Sequence, residues 1–185
     1  MDRFPKQFSI VLALAAGVAA SSAAAQDFRL ASTSVAEGAK LASAQVFQGF
    51  GCEGGNQSPH LVWSNPPAGT KSFAITAYDP DAPTGSGWWH WNVVNIPANV
   101  SEVPAGASGT HALPKGAVEI RNDYGAVGFG GACPPPGEVH RYVFTVHALS
   151  VEKLDLPANG SNALAGFMIR ANSIGKASIT AVYNR

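Results

Sequence analysis

The 185-residue sequence contains little charge and little cysteine. Only 13% of its residues are Asp, Glu, Lys or Arg, and 12 basic residues balance 12 acidic ones. A neutral, sparsely charged surface argues against nucleic acid as a partner, because nucleic-acid binding depends on basic patches. Internal repeats, charge runs and low-complexity linkers are also absent after Gln26. These absences favour one ordinary domain with a sizeable core.

The chain lacks a long apolar run outside its first residues, and these have the features of a secretory signal peptide. Two basic residues precede an apolar stretch over 10–20, and a small-x-small pattern ends at Ala25. The stretch is shorter than the roughly 20 residues that span a bilayer, which disfavours a membrane anchor. We therefore predict a signal peptide over 1–25, cleavage after Ala25, and a periplasmic or secreted domain over 26–185.

Only two cysteines are present, at positions 52 and 133. In an exported chain they suggest one disulfide, Cys52 with Cys133. Closing a loop of that length stabilises a protein by roughly 4–5 kcal/mol at the upper end of the chain-entropy model. Two buried free thiols are the alternative.

Glycine and proline recur between short segments rich in β-branched and aromatic residues, which is typical of an all-β sandwich or barrel. The predicted strands are 72–78, 89–96, 141–149 and 177–183. Apolar residues on both faces of 141–146 indicate a central strand that is covered on both sides. The sequence therefore predicts a mainly β domain.

One segment has a helical period. After Ser161, a favourable N-cap, apolar residues recur at i, i+3, i+4 and i+7, and these are Leu164, Phe167, Met168 and Ala171. We expect this helix to lie across a sheet face or edge. Irregular stretches at 97–117 and 121–139 are long for a compact domain, and such loops are usually functional.

The first candidate site cluster is Asp79-Pro80-Asp81-Ala82-Pro83, directly after a predicted strand. Its prolines restrict the backbone, and one or both X-Pro bonds are candidates for the cis form, so two carboxylates would be held rigidly at the end of a sheet. An ordinary acidic turn is the alternative, because Asp and Pro are common turn residues.

The second cluster is Trp88-Trp89-His90-Trp91-Asn92. Strand alternation predicts His90 and Asn92 on one face, with Trp89 and Trp91 on the other. His90 is then either a satisfied core residue or the wall of a pocket beside the open, glycine-containing turn at 84–87.

The third cluster runs from Gly130 to Gly137 and contains Cys133 and three consecutive prolines. Glycines let a ligand approach backbone N–H groups, and prolines stiffen the loop. His140 and Tyr142 follow two residues apart on a strand and therefore face the same way. Imidazole, phenol and loop amides together suit a phosphate-like anion, although a structural role is the alternative.

Four motifs in order, beginning with Ser58-Pro59-His60-Leu61-Val62-Trp63 and continuing through these three clusters, resemble the phosphatidylethanolamine-binding family. More closely, they resemble its bacterial Raf kinase inhibitor-like branch. The resemblance spans about 47–183 and implies a β-sandwich of two antiparallel sheets with few short helices. It also implies one shallow pocket that takes phosphate, acetate or phosphoryl head groups. The kinase-inhibitor label is not transferred, because no loop here matches those of the kinase regulators.

Carried over by position, the resemblance implies ligand-binding roles for seven residues: Asp79, Asp81, His90, Gly131, Pro134, His140 and Tyr142. Ala132 stands where the family pattern often has proline, a departure that bears on the rigidity of the loop.

The expected function is reversible binding of a small anion or a phosphoethanolamine-like zwitterion, without turnover, cofactor or metal. Bare carboxylates repel phosphate, so Asp79 and Asp81 must be protonated, be paired with a histidine, or face an amine of the ligand. An inhibitor or interaction module that binds a protease or another protein through its long loops is the main alternative. A metal-dependent hydrolase is a weaker one, since neither HExxH nor Gly-x-Ser-x-Gly is present.

Overall fold

The structure is a computed structural model that describes residue 1 and residues 27–157 and 159–185. The predicted signal peptide and its cleavage site fall outside the described residues and stay predictions. Within the described part of the chain, no helix combines the length and apolar character that a membrane span requires.

The described residues form a mainly β domain in which every strand pairing within a sheet is antiparallel. The strands are β1 (Arg29–Ala31), β2 (Gln48–Gly49), β3 (Cys52–Glu53), β4 (Leu61–Ser64), β5 (Ser72–Asp79), β6 (Trp88–Pro97), β7 (Glu102–Val103), β8 (Val118–Glu119), β9 (Val139–Leu149) and β10 (Ser173–Asn184). A short 3-10 helix, Ser43–Gln45, and one α-helix, α1 (Asn162–Asn172), complete the regular elements. The predicted fold class is confirmed.

The large sheet has the strand order β10-β9-β5-β6-β8, and a smaller sheet has the order β1-β4-β7. The four runs predicted as strands become β5, β6, β9 and β10, each extended by one to four residues at an end. Alternating and β-branched residues identify these strands because they are the long, buried ones, whereas the two- and three-residue strands carry too few residues for a pattern.

The core lies between the two sheets and continues on the outer face of the large one. Phe73 and Ile75 of β5 and Phe144 of β9 pack against Trp63 of β4, all at most 3% exposed. On the opposite face, Ala74 and its neighbours pack under α1 in a second cluster. The large sheet is thus covered on both sides, as the apolar character of β9 predicts.

Helix α1 begins after Ser161, whose side chain accepts a hydrogen bond from the Leu164 N–H, so the predicted N-cap is confirmed. The apolar stripe that shows the helical period is not the buried face. Phe167 is 67% exposed, Leu164 and Ala171 are also exposed, and Met168 is half-buried. The helix instead buries a different stripe, formed by Asn162, Ala165 and Ile169.

The choice of helix face has a local cause. Both stripes satisfy the helical period, so periodicity alone does not select one. The Asn162 side chain bonds to Asn92, to the Arg121 carbonyl and to Asp123, which fixes the first turn. Ala165 then lets the helix approach the sheet closely, because its side chain is small.

A disulfide joins Cys52 of β3 to Cys133 in the loop before β9, with the two Cα atoms 6.0 Å apart. The predicted pairing is therefore present. It ties the small hairpin of β2 and β3 to the proline-containing loop at 133–136.

Candidate functional site

The site begins with an irregularity in β6 that changes the direction of His90. Ala77 of β5 pairs with Trp91, and the next residue, Tyr78, pairs with Trp89, so His90 has no partner in β5. This is a β-bulge, which inserts one extra residue and re-aims the side chains around it. The bulge brings His90 onto the face that carries Trp91, whereas Asn92 faces α1.

The prediction that His90 and Asn92 share a face is therefore wrong. Strand alternation assumes an unbroken ladder, and the extra residue shifts the alternation by one position. His90 is 3% exposed, and its ring meets the Tyr142 ring edge to face at 5.1 Å between centroids.

A cavity of about 170 Å³ opens where β5 ends and where β6 and β9 begin. We call it the His140 cavity. Five of the seven predicted ligand-binding residues line it: Asp79, His90, Pro134, His140 and Tyr142. Sequence reasoning missed several of the other lining residues: Phe50, Thr84, Trp88, Tyr124 and Pro135. Phe50, in the turn between β2 and β3, and Tyr124, in a glycine-containing loop, belong to none of the predicted clusters.

Asp81 and Gly131 are not among the lining residues. Gly131 lies behind the wall, where its N–H donates to Asn56 Oδ1 at 2.7 Å and its carbonyl accepts from the Tyr124 hydroxyl at 3.0 Å. A Cβ at this position would stand 2.5 Å from the Gln45 carbonyl oxygen, so only glycine fits. The described geometry gives Gly131 a packing role.

Asp81 forms a bidentate ion pair with Arg141 on the rim. Its oxygens accept from Arg141 Nε at 2.9 Å and from the terminal guanidinium nitrogen at 2.6 Å, and the Arg141 backbone N–H adds a third bond at 2.8 Å. These bonds lower the pKa of Asp81 to about 2. The Asp81 carboxylate is charged and already paired outside the cavity.

Asp79 is buried and fully occupied by protein partners. One oxygen accepts from the N–H groups of Asp81 at 2.8 Å and Ala82 at 3.1 Å, and the other lies 2.7 Å from His140 Nδ1. The first two bonds form an Asx-type turn that fixes the backbone after β5. All described peptide bonds are trans, so neither proline of this turn adopts the cis form considered from the sequence.

His140 lies between two carboxylates. Its Nδ1 faces Asp79, and its Nε2 lies 3.0 Å from Glu138 Oε2, whose side chain is 52% exposed. Burial lowers the pKa of His140, but the hydrogen bonds to Glu138 and Asp79 outweigh burial, and the net pKa is raised above the ordinary value of 6.5. The imidazolium form is therefore favoured, with one N–H donated to each carboxylate.

His90 has the opposite electrostatics. Its Nδ1 lies 2.7 Å from the Gly130 carbonyl oxygen, which accepts only, so Nδ1 carries the proton. Burial lowers the pKa of His90 below 6.5 and outweighs this bond. The His90 ring is therefore neutral, and its Nε2 carries no proton and can accept a hydrogen bond.

Three polar atoms on the cavity wall are buried without a hydrogen-bond partner among the described residues. They are Trp88 Nε1, His90 Nε2 and the Tyr142 hydroxyl. Burial, followed by the charge of Asp79, raises the pKa of Tyr142, so its hydroxyl remains a donor. Buried polar groups normally have hydrogen-bond partners, so three unpaired groups on the wall of one cavity indicate a binding site for a polar ligand.

Aromatic rings and the disulfide form the mouth. Tyr124 stacks on Phe47 with 3.9 Å between ring centroids, and Phe50 packs against both. Phe50 is 69% exposed and has a positive φ of 52°, which is unusual for a bulky residue. Among the described residues, no group of three or more His, Cys, Asp or Glu side chains is placed to hold a metal ion.

Comparison with known proteins adds a consistent set of similarities. The family model described as "Phosphatidylethanolamine-binding protein" matches residues 31–184. Protein YbcL of Escherichia coli (strain K12) is 57% identical over 165 residues, which cover 88% of this chain and 90% of YbcL. Protein YbhB of the same strain is 52% identical over 157 residues, which cover 84% of this chain and 99% of YbhB.

A solved structure shows the same arrangement of the chain. The crystal structure of E. coli YbcL, presented as a new member of the mammalian PEBP family, superposes with a TM-score of 0.84 at 55% sequence identity. The superposition covers 86% of this chain and 99% of YbcL.

Proposed function

We propose, from the premise that the chain belongs to the phosphatidylethanolamine-binding protein family, that the His140 cavity reversibly binds a small anion or the phosphoryl head group of a larger molecule. The binding involves no turnover.

The observation that carries this proposal is the set of unpartnered polar atoms on the cavity wall. Trp88 Nε1 and the Tyr142 hydroxyl are donors, and His90 Nε2 is an acceptor. Phosphate monoanion offers both accepting oxygens and an O–H donor, so it can satisfy all three. Leaving these atoms buried and unpaired costs about 1–3 kcal/mol each, and a ligand that pairs them recovers this free energy.

The pairing of the carboxylates removes the main electrostatic objection to an anion. Asp79 is held by His140 and by two backbone N–H groups, and Asp81 is held by Arg141. Neither carboxylate is left to face the ligand uncompensated. His140, whose pKa is raised, supplies the positive charge that compensates Asp79.

Glu138 gives the cavity a way to distinguish a zwitterion from a simple anion. Its carboxylate occupies His140 Nε2, the N–H that a phosphoryl oxygen would otherwise accept from. Because the Glu138 side chain is half exposed, it can turn away from the imidazole when a phosphoryl group arrives. A displaced carboxylate at the mouth then pairs with the ammonium group of a phosphoethanolamine-like ligand.

We infer binding without turnover from the arrangement around the Asp79–His140 pair. In serine and cysteine hydrolases the second imidazole nitrogen contacts a nucleophile, whereas here it contacts Glu138. The Thr84 hydroxyl donates to the Gly87 carbonyl, and Cys133 is held in the disulfide. Among the lining residues, neither the Thr84 hydroxyl nor the Cys133 sulfur is therefore free to act as a nucleophile.

We also propose that the domain works outside the cytoplasm, after removal of residues 1–25. The Cys52–Cys133 disulfide supports this placement, since such bonds persist in oxidising compartments. Mass spectrometry of protein recovered from the periplasm should give an N-terminus at Gln26. A chain that stays in the cytoplasm with residues 1–25 attached would refute the proposal.

Isothermal titration of the purified protein with phosphate, in wild-type and Tyr142→Phe forms, tests the binding function. Tyr142→Phe loses one hydrogen bond, worth about 0.5–1.5 kcal/mol, and should therefore bind phosphate about two- to tenfold more weakly. Tyr183→Phe is the matched control, because Tyr183 lies on β10 and does not line the cavity. Equal affinities in all three proteins, or no saturable binding at all, would overturn the proposal.

A further inference from the structure

A second cavity, of about 220 Å³, lies between the outer face of the large sheet and α1. We call it the Trp89 cavity. Its floor comes from alternate residues of β5 and β9, including Thr76, Tyr78 and His147, and its roof comes from Gly166 and Ile169 of α1.

The Trp89 cavity is separate from the His140 cavity. Consecutive strand residues point to opposite faces, so Tyr142 belongs to the His140 cavity and Val143 to the Trp89 cavity. In the same way, Asp79 lines the His140 cavity and Tyr78 lines the Trp89 cavity. The two cavities share no lining residue. The proposed phosphoryl site therefore does not account for the second cavity.

The charged residues that line the Trp89 cavity have one sign. Arg170, in the last turn of α1, and Lys176, on β10, line it, and both side chains are exposed. Neither forms an ion pair with any described residue. None of the residues that line the cavity is acidic. Two uncompensated cations beside a cavity attract one negative group.

The interior of the cavity is partly apolar and has neutral polar groups. Trp89, Val143 and Ile169 supply apolar surface. His147 Nε2 lies 3.2 Å from the Thr76 hydroxyl, and burial followed by the charge of Lys176 lowers the pKa of His147 to about 4, so the ring is neutral at neutral pH.

Glycine at position 166 maintains the space under the helix. A Cβ there would lie 3.4 Å from the Trp89 ring, so a larger side chain would push into the cavity. Glycine inside a helix lowers stability by about 0.5–1 kcal/mol relative to alanine. In α1 the glycine that carries this cost lies directly over the Trp89 cavity.

From this arrangement we propose that the Trp89 cavity binds a small organic anion with one carboxylate and an apolar body about the size of a benzene ring. The carboxylate lies between Arg170 and Lys176, and the apolar body lies against Trp89, Val143 and Ile169. An engineered apolar cavity of roughly 150 Å³ accommodates benzene, so the volume here suffices for a ring with a carboxylate.

The test is an NMR titration of the full domain with benzoate, with benzamide as the neutral probe of the same shape. Benzoate should shift the Trp89 indole and His147 imidazole signals saturably, and benzamide should bind about fivefold more weakly or not at all. Arg170→Gln and Lys176→Gln should each weaken benzoate binding about fivefold, which is the largest effect expected for the loss of one exposed ion pair.

Lys115→Gln makes the same change of charge at an exposed position that does not line either cavity, and it should leave benzoate binding unchanged. Gly166→Leu should abolish benzoate binding, and unchanged phosphate binding in this variant shows that it is folded. Equal affinity for benzamide and benzoate, an equal effect of Lys115→Gln, or shifts at His140 instead of Trp89 would each overturn the proposal.

Discussion

At the scale of single residues, the pairing of each charged group decides what the His140 cavity can bind. Asp79 and Asp81 are only two positions apart in the sequence, but they pair with different residues. Asp79 pairs with His140, and Asp81 pairs with Arg141. The sequence predicts that these carboxylates must be neutralised before an anion can bind, but it does not identify the partners. Both pairs join residues about 60 positions apart, so they depend on how β5 and β9 lie side by side.

Glu138→Gln should raise the affinity for phosphate about fivefold, because it removes a carboxylate that competes for His140 Nε2. The same change should reduce the preference for phosphoethanolamine over phosphate, since the ammonium group loses its partner. Isothermal titration with both ligands measures the two effects. Glu152→Gln, at an exposed position that does not line the cavity, is the matched control. Unchanged or weaker phosphate binding in Glu138→Gln would contradict the assigned role.

His147 should make the fold less stable in acid. Its folded pKa of about 4 lies below the ordinary 6.5, so below pH 6.5 the unfolded chain takes up a proton that the folded chain does not. Stability is therefore fully present above about pH 6.5 and falls toward pH 4, by up to about 3 kcal/mol from this residue. Urea unfolding at pH 7 and pH 4.5 should show a smaller loss in His147→Gln than in wild type. His111→Gln, an exposed position, should match wild type; the same loss in all three proteins would refute this.

At the scale of elements, the sequence predicts the long strands and α1 but not their irregularities. The bulge in β6 depends on the register with β5, which no pattern within β6 reveals. For this reason the sequence wrongly places His90 and Asn92 on one face, although His90 does line the His140 cavity. The buried face of α1 cannot be read from the helical period for a related reason, since Asn162 fixes α1 through bonds to distant residues.

The buried face of α1 can be tested with a pair of substitutions. Ile169→Ala should lower the free energy of unfolding by about 2–4 kcal/mol, because Ile169 is 1% exposed in the second core cluster. Phe167→Ala removes a larger side chain but should change stability by less than about 0.5 kcal/mol, since Phe167 is 67% exposed. Urea unfolding measures both. A larger loss in Phe167→Ala than in Ile169→Ala would instead place the buried face on the stripe that contains Phe167.

At the scale of the whole molecule, one covalent bond links the fold to the site. The disulfide spans 81 positions and places Cys133, a lining residue, beside the hairpin of β2 and β3. Cysteine count predicts this pairing, and the family resemblance carried by four ordered motifs implies the sandwich and five of the lining residues. The lining residues Phe50, Trp88 and Tyr124 were missed because they meet only when the turn between β2 and β3, the start of β6 and the loop before β9 assemble.

Replacing both cysteines by serine should lower the free energy of unfolding by up to about 4–5 kcal/mol, because the unfolded chain regains the entropy of an open loop. Phosphate binding should weaken as well, since the wall at 133–135 loses its tie to β3. Urea unfolding and isothermal titration test the two effects, and wild type under reducing agent should behave like the double variant. A midpoint that does not move would show that the bond does not stabilise the fold.

Binding of a phosphoryl group at His140 and His90 can be tested by an NMR titration with phosphate. The imidazole signals of both residues should shift saturably with one common Kd, while those of His60 and His147, which do not line the cavity, should not move. Because the anion favours the imidazolium form, the pKa of His140 should rise further in the complex, and affinity should fall as pH rises through that raised pKa. If neither His140 nor His90 moves at tens of millimolar phosphate, or if all the histidines move alike, the cavity is not a phosphoryl site. The long loops at 97–117 and 121–139 would then be the next place to seek a partner.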